Sequence, residues 1–136
     1  MVARPKVYLA DTGLLCRLDG IRDSDEPASG PLAGTRFETA VVTDTVKTLV
    51  NRGEEPHVWF WRTSAGREVD MVLETDKGLI PVEIKLSATP KPEMAAGIMS
   101  FRSDYGKRVG RGFVVHMGEL LLPVTPEVTA IPFAAW

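Results

Sequence analysis

The sequence predicts an α+β protein whose helices and strands are stacked in layers. Three observations lead to this prediction. A helical segment, three strand-like segments, a second helical segment and a fourth strand follow one another along the chain. Short connections, Thr63-Ser64-Ala65-Gly66 and Asp76-Lys77, join the first three strands, which is typical of an antiparallel meander. Elements in this order form an α+β or three-layer (α/β/α) arrangement.

Length and composition agree with this fold and exclude several classes of function. A chain of 136 residues is the size of one domain and can bury enough surface to need no disulfide. A formal net charge of −2 excludes a protein that coats nucleic acid by charge alone. The single cysteine, Cys16, and the lack of an apolar run of about 20 residues predict a cytoplasmic protein without a membrane segment.

A polar loop separates a small N-terminal part from the rest of the chain. Residues 6–10 are predicted to form a short strand, and Asp11 can cap a helical turn over residues 12–18. The following stretch is acidic and rich in proline, glycine and serine, which predicts a mobile loop. The predicted division is an N-terminal strand and helical turn packed on the body, a mobile acidic loop, and the core, at residues 1–18, 19–34 and 35–136.

Caps, periodicity and turns define the elements of the core. Thr35 is a good N-cap and Gly53 a good stop signal for a first helix over residues 36–51. A second helix over residues 92–105 has Pro92 in its first turn. The late strands are punctuated by prolines, which suit sheet edges. The predicted strands are residues 57–62, 67–75, 79–87, 111–116, 120–124 and 128–133.

The second hairpin carries charged residues on one face. Matching its apolar residues favours a register in which Met71 faces Val82. On the other face this register places Asp70 opposite Glu83, and Lys85 follows on the same strand face. Two carboxylates about 5 Å apart repel by roughly 3 kcal/mol at an effective dielectric near 20. A divalent cation held by both groups, a shared proton, or a nearby lysine or arginine would offset this repulsion.

The first helix and the first hairpin extend this charged face. The apolar pattern of the first hairpin places Trp59 opposite Asp70. Glu38 lies on a mostly apolar stripe of the helix, which predicts that its side chain points toward the sheet as a third carboxylate. Residues 35–38 also fit a T-x-x-E capping box, which would explain Glu38 without any catalysis.

Together these residues resemble the active-site pattern of the PD-(D/E)XK nuclease superfamily. Glu38 on the first helix, Asp70 on the second strand, and Glu83 and Lys85 on the third match the positions of that pattern. The order of elements also resembles the core of that superfamily. The resemblance implies a restriction-endonuclease-like core with a helix, a three-stranded antiparallel meander, a helix and a strand.

Longer segments are similar to one particular group of proteins. The segments are KVYLADTGLL, GTRFE, FWRTSAGREVD and PVEIKLS. They resemble the C-terminal, nuclease-like domain of a large group of prokaryotic ATPases, in which an AAA+-type ATPase and a winged helix precede that domain. The resemblance implies that this chain functions as the C-terminal domain of a DNA-associated ATPase. An alternative is a catalytically silent module that docks its ATPase to nucleic acid or protein.

The resemblance also implies a metal-dependent endonuclease that hydrolyses phosphodiester bonds in DNA. Asp70, Glu83 and the carbonyl group of Ile84 would hold Mg²⁺ or Mn²⁺. Lys85 would position or activate the water and stabilise charge on the phosphate. Glu38 would bind a second metal or orient a metal-bound water. Nucleases that cut both strands often act as dimers, so a homodimer stays open.

Basic residues near two turns provide candidate contacts to phosphate groups. An exposed basic cluster is usually a solvated loop, and contact with the phosphates of a nucleic acid is the alternative. The candidates are Arg62, Arg67, Lys107, Arg108 and Arg111.

Overall fold

The computed structural model of the protein describes residues 5–22 and 28–136. Three α-helices and a six-stranded sheet lie within these residues. The helices are α1 (Thr12–Leu18), α2 (Ala33–Asn51) and α3 (Ala96–Tyr105). The strands are β1 (Val58–Arg62), β2 (Glu68–Thr75), β3 (Gly78–Lys85), β4 (Gly112–His116), β5 (Leu122–Thr125) and β6 (Val128–Pro132).

The sheet has the strand order β1-β2-β3-β4-β6-β5. The strands β1, β2 and β3 are antiparallel neighbours, which confirms the predicted meander. Strand β4 runs parallel to β3, strand β6 runs parallel to β4, and β5 is an antiparallel edge strand. Pro123 lies on this edge strand, where a missing backbone donor is tolerated. The predicted mixed α+β class is therefore confirmed.

Helices α2 and α3 pack against opposite faces of the sheet. Phe37 and Val41 of α2 share a buried cluster with Val115 of β4. Ile98 of α3 shares another cluster with the neighbouring β4 residue, Val114. Because successive residues of a strand point to opposite faces, the centre of the sheet is covered on both sides. Among the described residues, no helix has both the length and the apolar character needed to cross a membrane.

Helix α2 begins earlier than the sequence predicts. Its first residue is Ala33, which is buried, and its N-cap residue Leu32 makes no side-chain capping bond. Thr35 therefore lies inside the helix, and the predicted N-cap and capping box are wrong. The Glu38 carboxylate has a different role, because it accepts hydrogen bonds from the N-terminal segment.

The N-terminal segment does not join the sheet. Residues 5–9 form no strand, so the strand predicted over residues 6–10 is wrong. Their contacts are made by side chains that reach α2 rather than by backbone pairing. Helix α1 is confirmed, and its N-cap Asp11 accepts the backbone N–H of Leu14 at 2.9 Å. Part of the predicted loop, residues 23–27, lies outside the described residues.

The register of the second hairpin is confirmed where the strands pair. Met71 faces Val82, as the apolar pattern predicts. The backbone ladder stops at this pair, before the predicted pair of Asp70 and Glu83. Instead, Oδ2 of Asp70 accepts a hydrogen bond from the backbone N–H of Ile84 at 2.9 Å. A side chain thus continues the connection between β2 and β3 where the ladder ends.

The predicted register of the first hairpin is wrong. Trp59 faces Val72 rather than Asp70, because the pairing of β1 with β2 shifts before Trp61. Trp61 packs edge-on against Phe101 of α3, with ring centroids 5.4 Å apart. This contact joins elements that are distant in the sequence, so the pattern of the hairpin alone could not predict it.

Candidate functional site

Asp70 lies at a bulge in strand β2. The pairing with β1 shifts between Trp59 and Trp61, where a single β1 residue faces both Asp70 and Met71. A bulge of this kind reorients a side chain and is common next to active sites. Asp70 is buried and lines a cavity of about 380 Å³ that Lys6 also lines.

The environment of Asp70 favours its ionised form. Burial opposes ionisation, but the backbone N–H of Ile84 and the ammonium groups of Lys85 and Lys6 outweigh it and lower the pKa of Asp70. Nζ of Lys85 lies 3.5 Å from Oδ2, and Nζ of Lys6 lies 3.6 Å from Oδ1. Asp70 is therefore a fixed negative charge at neutral pH, with a donor beside each carboxylate oxygen.

The carboxyl group of Glu83 and the ammonium group of Lys85, both on strand β3, are in contact next to Asp70 of β2. Nζ of Lys85 lies 2.9 Å from Oε2 of Glu83. Burial and the charge of Asp70 raise the pKa of Glu83 to about 8. For Lys85, burial lowers the pKa, but the negative charges of Glu83 and Asp70 dominate and raise it overall. The Lys85 side chain keeps 40% of its surface exposed, so its ammonium group can meet a ligand from solvent.

Helix α3 closes one side of the site through a glycine. A Cβ atom at Gly97 would overlap Oε1 of Glu83 and the backbone carbonyl oxygen of Glu68. The absence of a side chain therefore lets α3 approach the strands at the Glu83 carboxyl group. Sequence reasoning missed Gly97, because an isolated helical glycine carries no local signal of what it faces.

Glu38 reaches the site from α2 and is held by the N-terminal segment. Nζ of Lys6 lies 2.8 Å from Oε1 of Glu38, and the Tyr8 hydroxyl donates to the same oxygen at 2.7 Å. The Lys6 ammonium group also lies 5.7 Å from the centroid of the Phe60 ring. Burial, the bond to Glu38 and nearby negative charges raise the pKa of Tyr8, so the hydroxyl stays a donor.

Lys6 and Tyr8 are site residues that the sequence analysis missed. They stand two residues apart in the segment KVYLA, so they project to the same side of an extended chain. That spacing was a usable signal, but a short strand was the simpler explanation for it. The structure brings them together with all four predicted residues, namely Glu38, Asp70, Glu83 and Lys85.

The oxygen donors of Asp70, Glu83 and Ile84 have the chemistry that a magnesium or manganese ion prefers. Across residues 5–22 and 28–136, no three histidine, cysteine, aspartate or glutamate side chains are arranged to hold a metal ion. The two carboxylates of Asp70 and Glu83 and the carbonyl oxygen of Ile84 are hard donors, and Mg²⁺ commonly takes one or two carboxylates and keeps several waters. The donor set thus fits a partly hydrated Mg²⁺ or Mn²⁺.

The predicted phosphate-contacting residues lie in two separate connections. Arg62 and Arg67 flank the β1–β2 turn, and Nε of Arg62 lies 3.4 Å from Oε2 of Glu68. The other three follow α3, where Arg111 donates to the Thr129 hydroxyl at 3.0 Å. All five side chains belong to exposed residues; they are Arg62, Arg67, Lys107, Arg108 and Arg111.

Comparison with known sequences assigns the chain that carries this site to a protein family. Residues 33–136, from the first residue of α2 to the C terminus, match the family described as "Domain of unknown function (DUF4143)". The chain belongs to the DUF4143 family. The DUF4143 match includes the three candidate carboxylates, whereas Lys6 and Tyr8 precede it.

Two mycobacterial proteins are similar to almost the whole chain. They are uncharacterized protein Rv2008c of Mycobacterium tuberculosis and uncharacterized protein Mb2031c of Mycobacterium bovis, each 30% identical over 128 residues. The aligned region covers 94% of this DUF4143 chain but 27% of each relative. The chain therefore spans only about 27% of the length of the curated relatives it matches.

Proposed function

We propose that this DUF4143 chain is a metal-dependent endonuclease that hydrolyses phosphodiester bonds in DNA, with a restriction-endonuclease-like core. The observation that carries the proposal is the position of the Lys85 ammonium group, 2.9 Å from Glu83 and 3.5 Å from Asp70. A lysine beside two buried carboxylates at the end of a β ladder combines a cation site with a donor for a phosphate oxygen.

Asp70 and Glu83, with the carbonyl oxygen of Ile84, would hold Mg²⁺ or Mn²⁺. When bound, such an ion polarises a phosphate oxygen and lowers the pKa of a coordinated water. Asp70 supplies a permanent negative charge, because its pKa is lowered despite burial. In the metal-free protein Glu83 keeps a proton near neutral pH, because its pKa is raised to about 8, and it would release that proton on binding the ion. The two carboxyl groups therefore have different protonation behaviour within one site.

Lys85 orients the substrate and stabilises its developing charge. Its ammonium group is anchored by two carboxylates while part of the side chain faces solvent. An ammonium group fixed in this way can donate to a phosphate oxygen as negative charge builds in the transition state. The same donor can orient a water molecule for attack.

The whole-protein part of the proposal concerns the ATPase. We place this chain as the C-terminal domain of a longer cytoplasmic, DNA-associated protein with an AAA+-type ATPase and a winged helix. Support comes from the resemblance of its segments to such domains and from relatives of which the chain covers 27%. The basic residues of the two connections would contact DNA phosphates, and a homodimer would allow both strands to be cut.

One observation favours a second candidate, a docking module without catalysis. Lys6 and Lys85 already neutralise much of the charge on the three carboxylates. An ion-pair network of this kind can fix the orientation of an N-terminal segment without taking part in a reaction. A docking module would bind DNA or the ATPase and leave the phosphodiester bonds intact.

A plasmid-nicking assay with Mg²⁺, Mn²⁺ and EDTA distinguishes the two candidates. We expect nicking by the wild type with either metal and a loss of about 100-fold or more in Asp70→Asn and Lys85→Met. Lys77→Met is the matched control, because Lys77 is an exposed lysine in the β2–β3 turn. Circular dichroism checks that each variant is folded. Unchanged nicking in both site variants, or no nicking by a wild type that binds DNA, would overturn the nuclease proposal.

A further inference from the structure

We propose that Lys6 takes the place of a second metal ion in this site, so that the chain binds a single divalent cation. Lys6 then acts as a positioning residue that holds Glu38 and Asp70, with Tyr8 as its partner. The inference rests on the proposed function and states how many cations that function uses.

The first support is the position of the Lys6 ammonium group. It lies 2.8 Å from Oε1 of Glu38 and 3.6 Å from Oδ1 of Asp70, so it bridges a carboxylate of α2 and a carboxylate of β2. A second cation shared by these two groups would have to displace Lys6 from this position. Lys85 bridges Glu83 and Asp70 at similar distances, but its side chain is 40% exposed and has more room to turn aside for the first cation. Lys6 is only a quarter exposed, with 25% of its side-chain surface open, so the bridge is not a loose surface contact.

The second support is the hydrogen bonding of Glu38. Its Oε1 atom accepts hydrogen bonds from the Lys6 ammonium group at 2.8 Å and from the Tyr8 hydroxyl at 2.7 Å. A carboxylate oxygen has two lone pairs, so these two donors fill its capacity. A metal ion could bind that oxygen only after one donor has left.

The third support is the charge of the complete site. The three carboxylates and the two ammonium groups leave one uncompensated negative charge when Glu83 is ionised as a ligand. One divalent cation converts this to a single positive charge, which one phosphodiester group neutralises. A second divalent cation beside Lys6 would leave three positive charges, and their repulsion in a partly buried site is unfavourable.

The test measures by isothermal titration calorimetry how many Mn²⁺ ions the full chain binds. Only Asp70-dependent ions are counted, which are those that the wild type binds and Asp70→Asn does not. We expect one ion per chain in the wild type and two in Lys6→Met, because the substitution frees Glu38 and Asp70. Lys6→Arg should restore a count of one, and so should Lys6→Met combined with Glu38→Gln. If Lys6→Met does not fold, Tyr8→Phe is the milder variant. It frees one lone pair on Oε1 of Glu38, so we expect a second Mn²⁺ ion to bind more readily than in the wild type. Lys91→Met, at an exposed lysine, is the control.

Each outcome bears on one proposal or on both. Two Asp70-dependent ions in the wild type would overturn this inference and leave the nuclease proposal standing. A count of one in a folded Lys6→Met variant would also overturn it, and would leave Lys6 as a structural pin for the N-terminal segment. No Asp70-dependent ion in the wild type would overturn both proposals.

Discussion

At the scale of single residues, one acidic pair carries two opposite pKa shifts. Burial and the charge of Asp70 raise the pKa of Glu83, whereas the Ile84 amide and two lysines lower that of Asp70 against its own burial. Neighbouring carboxyl groups behave in this way when only one of them is well supplied with donors. The donors come from the Ile84 backbone and the Lys85 side chain of β3 and from Lys6 of the N-terminal segment, so the pair depends on β2, β3 and that segment.

The raised pKa of Glu83 predicts how stability depends on pH in metal-free buffer. Between about 4.5 and about 8, the folded protein keeps a proton on Glu83 that the unfolded chain has released. The contribution of Glu83 to the free energy of unfolding should therefore be full below this range and fall as pH rises through it. Asp70 works in the opposite sense, because its lowered pKa adds stability that is lost only as the pH falls through acid values.

Urea unfolding in EDTA at pH 5 and pH 8.5 isolates the Glu83 contribution. The free energy of unfolding of the wild type should fall between pH 5 and pH 8.5, whereas that of Glu83→Gln should not. The difference between the two proteins should therefore change by more than about 1 kcal/mol, which is the free energy of one pKa unit. Glu119→Gln, at an exposed glutamate, serves as the control, and its difference from the wild type should not change in this way. Parallel pH profiles for wild type and Glu83→Gln would contradict the prediction.

At the scale of elements, the contact between α3 and the end of β2 positions Glu83. Gly97→Ala would place a methyl group on Oε1 of Glu83 and on the carbonyl oxygen of Glu68. Because a backbone atom is involved, α3 must shift, and we expect a loss of about 1–3 kcal/mol in the free energy of unfolding. Mn²⁺ binding should weaken with it, because Glu83 is displaced.

The matched control for this substitution is another helical glycine. A Cβ atom at Gly34 in α2 would meet no atom within 4 Å. Gly34→Ala should therefore leave stability unchanged or raise it by up to about 1 kcal/mol, since alanine favours the helix. Equal effects of the two substitutions on thermal melts would show that α3 does not press on Glu83.

Local patterns predicted most elements, and long-range contacts decided what they missed. The observed strand boundaries differ from the predicted ones by at most two residues, because alternation and turn residues act within a few positions. The register of β1 depends on Trp61 packing against Phe101, and the role of Glu38 depends on Lys6. Neither partner can be read from the segment concerned, so the register of the first hairpin and the capping box are predicted wrongly. The strand predicted over residues 6–10 is wrong for the same reason, because Lys6 and Tyr8 bind Glu38 of α2 instead of pairing with the sheet.

At the scale of the whole molecule, the site joins parts of the chain that lie far apart in the sequence. Glu38 comes from α2, Asp70 and Glu83 come from two strands, and Lys6 comes from the segment before the DUF4143 match. A ligand held by several elements favours the folded state, because the unfolded chain cannot assemble the same oxygen atoms. Cation binding should consequently stabilise the protein as a whole rather than one loop.

The expected size of this stabilisation follows from linkage. At a free Mn²⁺ concentration 100 times the Kd, the gain is about 2.7 kcal/mol. For a domain of this length that corresponds to a rise in Tm of roughly 10 °C. Differential scanning calorimetry with increasing Mn²⁺ should show this rise in the wild type and not in Asp70→Asn. Lys77→Met should behave like the wild type, because Lys77 lies in an exposed turn. An equal rise in Asp70→Asn would mean that the stabilising ion binds elsewhere, whereas no rise in any variant would mean that the carboxylates are satisfied by Lys6 and Lys85 alone.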